Sequence, residues 1–387
     1  MGAESAPMNK KKIRDKEANL EKEMLLNPEN IVKRKRDQRK RVLIAVGIGF
    51  IIFIGVILIS FQMVKAIGKA NLQGKAITEV PELLTEELES AMEEQQWQEG
   101  WVRYKDTTYA YNTDIMTFLV MGIDKNDDVE EVAGGTNGGQ ADALFLLVLN
   151  PHDKSIKVIG INRNTMTDVN LYTEDGAYMT TVTAQIAVQH GFGNGMEESC
   201  EYQLDAVKKL FYNLPIHGYC AINMSAVIPL TDMVGGIELT ALEDVKSSFK
   251  EEKGAYVVKS GETILLDGRS GYSYVRYRDI NIAGSSDMRL KRQKQYLEEA
   301  ISSIKTETKK DISLPIKLYN AVESQMVTNI TVDEVTYLVS TAIDYNFDSK
   351  QFYFLKGETV QGEKFEEYYI DEDALYEMIL HIFYEPI

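Results

Sequence analysis

The 387 residues carry 42 Lys+Arg against 59 Asp+Glu, a formal net charge of −17, with only two cysteines. Two cysteines exclude a disulfide-stapled scaffold; a Cys200–Cys220 bond and two separate buried thiols both stay open, because spacing does not give geometry. The charge divides into two populations: residues 1–41 hold 13 cations and 7 anions, net +6, and the remainder holds 42 − 13 = 29 cations and 59 − 7 = 52 anions, net −23.

Residues 1–41 read as a basic tail, with seven cations crowded between Lys33 and Arg41. Val42 to Phe61 follow, twenty residues with no charge and one polar side chain, Ser60. At about 1.5 Å per residue they match a hydrocarbon core of about 30 Å, so 42–61 is expected to be a single transmembrane helix. The run is apolar on every face, unlike a core helix, and too long for a cleaved signal peptide. Positive flanks stay inside, which predicts a cytoplasmic tail and an extracellular C-terminal part. Basic residues beside a span point to anionic lipid as their partner and not to nucleic acid.

The outer 326 residues are ample for a large core. Residues 62–116 read as a stalk, with a Glu-rich helix over 80–103, and the compact domain is expected from 117 to 387. Phe118 to Ile123, Ala143 to Leu149 and Lys157 to Ile161 are short apolar runs, expected as strands of a sheet covered on both faces. A helix is predicted over 197–212 and a strand over 219–224. Leu230 to Leu239 reads as helix end, Gly-Gly turn and strand. A strand is predicted over Tyr274–Arg278 and a helix over 288–305. Helices near 313–323 and 332–344, a strand over 351–355 and a helix over 371–383 complete an α/β sandwich.

Four features carry chemistry. Asp124 ends one strand and Asp142 begins the next, so antiparallel pairing would bring both to one edge. With a polyphosphate they would make a Mg²⁺ site; the alternative is that Asp is common in turns. Arg163 follows an apolar strand, suiting an anionic ligand or a surface ion pair. Arg276 and Arg278, two apart on the expected strand, share a face and suit a phosphate or nearby carboxylates. Arg289, Arg292 and Gln293 neighbour one another at i, i+3, i+4, as a phosphate clamp or a solvated basic face. His190 to Gly195 is a candidate ligand loop. The four histidines lack metal-ligand spacing, and there is no nucleophile elbow or Walker loop.

In order, Gly122-Ile123-Asp124, Ala141-Asp142-Ala143, Ile161-Asn162-Arg163-Asn164-Thr165, Val234-Gly235-Gly236-Ile237, Tyr274 to Arg278 and Arg289-x-x-Arg292-Gln293 resemble the LytR-CpsA-Psr family of bacterial cell-envelope enzymes. The resemblance covers about 117–300 and implies a three-layer α/β/α sandwich with a deep apolar pocket. It implies a phosphotransferase that moves a glycopolymer from an undecaprenyl-pyrophosphate carrier to peptidoglycan or another envelope acceptor. Asp124 and Asp142 would hold Mg²⁺, or Mn²⁺ in its place, or help activate the acceptor hydroxyl. Arg163, Arg276, Arg278, Arg289, Arg292 and Gln293 would hold the phosphates. The chain departs from the family where Gln140-Ala141-Asp142-Ala143 replaces Arg-Ser-Asp-Thr, and where Asn162-Arg163-Asn164-Thr165 replaces Pro-Arg-Asp-Thr. It also has Asp287 two, not three, residues before Arg289. The missing Arg and Asp motivate one alternative, a non-catalytic lipid-pyrophosphate binding or regulatory module; a further alternative is a polyprenyl-pyrophosphate hydrolase, with water in place of the acceptor.

Overall fold

Alternation along three apolar strands sorts their side chains onto two faces, and both faces are covered. The structure is a computed structural model that describes residues 14–16, 59–75, 80–83, 97–133, 136–279, 282, 284–347 and 349–387. Two units are distinct, Met1–Met63 and Val64–Ile387. The expected span at 42–61 lies outside the described residues apart from Ile59, Ser60 and Phe61, which are helical. Among the described residues no helix is long and apolar enough to cross a membrane.

The second unit is built on a six-stranded mixed sheet. Its strands are β1 (Met116–Ile123), β2 (Ala141–Asn150), β3 (Ser155–Ile161), β4 (Gly218–Asn223), β5 (Met326–Thr328) and β6 (Phe352–Phe354), in spatial order β5-β4-β1-β2-β3-β6. β1 runs antiparallel to β2 and parallel to β4, and β3 runs antiparallel to β2 and parallel to β6. Leu119, Met121, Leu144, Leu146 and Ile159 point to one face, where α1 (Glu197–Leu210) and the Glu372–Phe383 helix bury Val207 and Ile379. Val120, Phe145 and Val158 point to the other, against Leu290, Leu297 and Ile301 of a long helix, Ser285–Lys310. This period of two is why strands buried on both faces read as unbroken apolar runs.

The strand expected at Tyr274–Arg278 is instead the end of a helix, α2 (Gly268–Arg276); the long helix is α3 (Ser285–Lys310). Tyr, Val and Tyr in alternation favour a strand locally. Asp267 overrides that preference by accepting the Ser270 N–H as N-cap, and the helix buries Tyr272, Tyr274 and Val275. The Gly-Gly turn is as expected: Gly235 and Gly236 take φ of +82° and +94° between the Val227–Met233 helix and the Ile237–Thr240 strand.

The segment 62–116 is not all stalk. Trp101–Tyr104 is a strand, not the end of a Glu-rich helix, and pairs with Thr107–Tyr111, which pairs in turn with the C-terminal Tyr384–Pro386. Residues 64–74 are helical and bury Leu72, while Lys75 pairs with Glu334 at 2.8 Å. Both cysteines are free. Cys200, on α1, is buried in the cluster between that helix and the sheet, whereas Cys220 lies between Tyr219 and Ala221, which face that same cluster, and so points to the opposite side of the sheet.

Candidate active site

Strand direction puts four chain reversals at one edge: the ends of β1, β3 and β4 and the start of β2. Asp124 follows β1, and its N–H donates to the Gln140 carbonyl at 3.0 Å. A register shift between Gly122 and Ile123 bends β1 here, a common device beside active sites. Leu144 pairs with Ile161, so two residues further on Asp142 faces Arg163. Topology thus brings together Asp124, Asp142 and Arg163, as their positions at strand ends imply.

Asp142 is clamped from two sides. Arg163 donates from Nη1 to Oδ1, and Arg289, on the first turns of α3, donates from Nη1 to Oδ2 at 2.9 Å. All three side chains are nearly buried, at 15%, 11% and 8% exposure for Arg163, Asp142 and Arg289. Burial lowers the Arg163 pKa from its usual range, Asp142 opposes the shift, and Arg289 and Arg278 add to it. Two guanidiniums on one carboxylate leave an excess of positive charge. Arg163 Nε and Arg289 Nη2 are buried without a hydrogen-bond partner, so donors remain unspent beside Asp142.

Arg276, at the C-terminus of α2, reaches Asp124 Oδ1 at 3.3 Å from Nη2. Its Nη1 donates to the Tyr272 hydroxyl one turn back and meets Asn126 Oδ1 at 3.5 Å. Arg278 does not share a face with Arg276, because the helix ends between them. It donates to Ser285 Oγ at 3.1 Å and pairs with Glu366 at 3.3 Å. Arg292 sits behind the cleft, 1% exposed, with Nε on Glu243 at 2.6 Å and both Nη atoms on the carbonyls of Tyr274 and Tyr277. There it braces the end of α2 and is not a solvated cation. Gln293 donates to the Val275 carbonyl at 3.2 Å and lines a cavity.

That cavity, about 110 Å³, lies between the sheet and α3, walled by Val120, Ala143, Phe145, Val227, Val275 and Leu297. Val275 and Ala143 directly precede Arg276 and follow Asp142, so an apolar hollow adjoins the charged edge.

The departures from the family motifs have partners. Gln140 accepts from Arg163 Nη2, and Asn164 donates to Ser286 Oγ at 3.2 Å. Asp287 accepts from Asn162 at 2.7 Å. Sequence reasoning missed Asn126, Tyr272 and Glu366. Tyr272 is one helical turn before Arg276, a signal available only once the segment is known to be helical. Glu366 lies in a Gly357–Gln361/Glu366–Ile370 hairpin with no local link to the site. The His190 loop forms a 3₁₀ turn over Ile186–Phe192, and the His190 ring meets the Gly139 carbonyl at 3.0 Å. Among the described residues no three His, Cys, Asp or Glu side chains gather as metal ligands.

A model of the LytR_cpsA_psr family matches residues 82–380. TagU of Halalkalibacterium halodurans, a polyisoprenyl-teichoic acid–peptidoglycan teichoic acid transferase, is 29% identical over 189 residues, 49% of this chain and 53% of TagU. The Enterococcus faecalis protein of the same name is 26% identical over 256 residues, 66% and 72% of the two chains. The chain thus spans about half the length of the first of these relatives. Among solved structures, Bacillus subtilis TagV superposes with a TM-score of 0.54 at 21% identity, over 70% of this chain and 96% of TagV. TagT bound to LI-WTA superposes at 0.51 and 18% identity, over 70% and 89%. These structural likenesses carry the mixed α/β fold.

Proposed function

The chain belongs to the LytR-CpsA-Psr family, and from that premise we propose that it is a membrane-anchored transferase moving a phosphoglycosyl polymer from a polyprenyl pyrophosphate carrier to peptidoglycan or another envelope acceptor. The observation that carries the reading is the double clamp on Asp142. Two nearly buried arginines share one carboxylate and keep unspent donors, next to an apolar hollow. Diphosphate oxygens complement those donors, and the hollow beside them is apolar, with room for the first part of a prenyl chain.

Arg163, Arg276, Arg278 and Arg289 bind the diphosphate, exchanging carboxylate partners for phosphate oxygens. The acceptor hydroxyl attacks the glycan-bearing phosphorus. A new P–O bond forms, the bridging P–O bond breaks, and polyprenyl phosphate leaves with the electron pair. Asp124 is half exposed, and its carboxylate is held among the described residues by one 3.3 Å contact with Arg276; where it does not hold a metal, it takes the hydroxyl proton. Such a transfer needs positioning and charge neutralisation and no covalent nucleophile.

Asp124 and Asp142 have hard oxygen donors and would hold Mg²⁺, or Mn²⁺, once the arginines turn to the phosphates. The ion would supply neutralisation of the developing phosphate charge. Anchoring by the 42–61 segment would keep the enzyme on the outer face, beside its lipid-borne donor at high effective concentration. The test is the Arg276→Ala/Arg278→Ala double variant: turnover of a polyprenyl-pyrophosphate glycan should fall at least about a hundredfold. Undiminished turnover in a folded double variant would remove the phosphate clamp.

A further inference from the structure

Resting on that reading, we propose that the hairpin Met166–Tyr172/Tyr178–Gln185 docks the glycan strand of the acceptor, with the rings of Tyr172, Tyr178 and Tyr202 as its sugar platform. The hairpin rises directly from the charged edge. Thr165 follows the Arg163 segment, the Ala187 N–H returns to the Arg163 carbonyl at 3.2 Å, and Gln185 donates to Asn164 at 3.2 Å. Among the described residues its strands pair only with each other, and residues 178–183 are exposed on both faces. At about 3.3 Å per residue, Tyr172 stands roughly 20 Å from the base.

The exposed strand, Tyr178 to Gln185, has no charged residue in a chain of net charge −17. It is rich in hydroxyls, with Tyr178 OH and Thr181 Oγ1 2.9 Å apart and Thr181 donating to Asn170 at 2.8 Å. At the far end Tyr172 stacks on Tyr202 at 4.0 Å and 2°, and Tyr178 meets Tyr172 edge-on at 6.1 Å. Tyr178 is 59% exposed. Pre-organised rings with hydroxyls alongside suit the apolar faces and equatorial hydroxyls of sugars. Charge selects the source: Glu174, Asp175 and Glu198 rim the platform, so a phosphodiester-rich donor polymer is repelled where a glycan strand without phosphates is not.

The experiment is cosedimentation of the full-length protein, in detergent, with purified peptidoglycan sacculi. Tyr178→Ala should bind sacculi about tenfold more weakly, Tyr178→Trp should restore binding, and donor affinity should not change. Arg276→Ala should bind sacculi like wild type, so failure of the transferase chemistry and failure of docking read separately. Sacculus binding by Tyr178→Ala equal to wild type overturns the proposal. So does competition by free teichoic acid but not by peptidoglycan fragments, or a wild-type dimer that Tyr178→Ala splits with sacculus binding intact.

Discussion

Replacing Asp142 with Asn removes the carboxylate charge that lies between two nearly buried guanidiniums. Arg163 and Arg289 are 15% and 8% exposed, so solvent screens their repulsion poorly. Removing one partner from such a buried set costs about 3 kcal/mol. For a domain of this size that lowers the melting temperature by about 6 °C at about 2 °C per kcal/mol. The same change frees donors for an anion, so inorganic pyrophosphate should stabilise Asp142→Asn more than wild type. At a hundred times its Kd the ligand returns about 3 kcal/mol, nearly the whole loss. Melting followed by circular dichroism, with and without pyrophosphate, reads both effects. An Asp142→Asn protein that melts with wild type, or gains no more from pyrophosphate than wild type does, would refute the clamp.

Arg276→Ala alone should lower turnover while shifting the denaturant midpoint by under about 1 kcal/mol, because its pair with Asp124 is 34% and 48% exposed. Arg292→Ala should act oppositely, costing about 3–5 kcal/mol by stranding Glu243 and two carbonyls, read as the urea midpoint. Burial holds both His190 and His217 down to about 4, so the unfolded chain binds more protons between pH 6.5 and 4. Stability is therefore full above about pH 6.5 and falls toward pH 4, by up to about 3 kcal/mol per histidine. His152 works in the other sense: the hydrogen bonds its imidazolium donates to Asp114 and Glu385 raise its pKa, and its contribution fades as pH rises above its folded value. A urea midpoint that stays flat from pH 7 to 4.5 would contradict the histidine assignment.

The meeting of Asp124, Asp142 and Arg163 was legible because each ends or begins an apolar strand, and strand pairing is nearly forced once those strands are recognised. Arg289 and Arg292 were correctly read as helix neighbours. Which of them opens onto the cleft was not legible, since periodicity gives faces and not what covers them. The first turns of α3 bury polar side chains, Ser285, Ser286, Arg289, Arg292 and Gln293, while its apolar stripe, Leu290, Leu297 and Ile301, packs on the sheet. Tyr274 to Arg278 misled because local strand preference lost to a cap and to burial of one helical face. Trp101 to Tyr111 and Glu366 escaped for a different reason. Their partners, Tyr384–Pro386 and Arg278, are far away along the chain, where no local pattern reaches.

The most direct measurement supplies the full-length protein, in detergent or membranes, with a polyprenyl-pyrophosphate glycan, Mg²⁺ and peptidoglycan, and follows two products at once. Released polyprenyl phosphate and glycan joined to peptidoglycan should appear together in equal amounts. Tight donor binding with neither product would make the protein a binding module. Polyprenyl phosphate released without any joined glycan would make it a hydrolase.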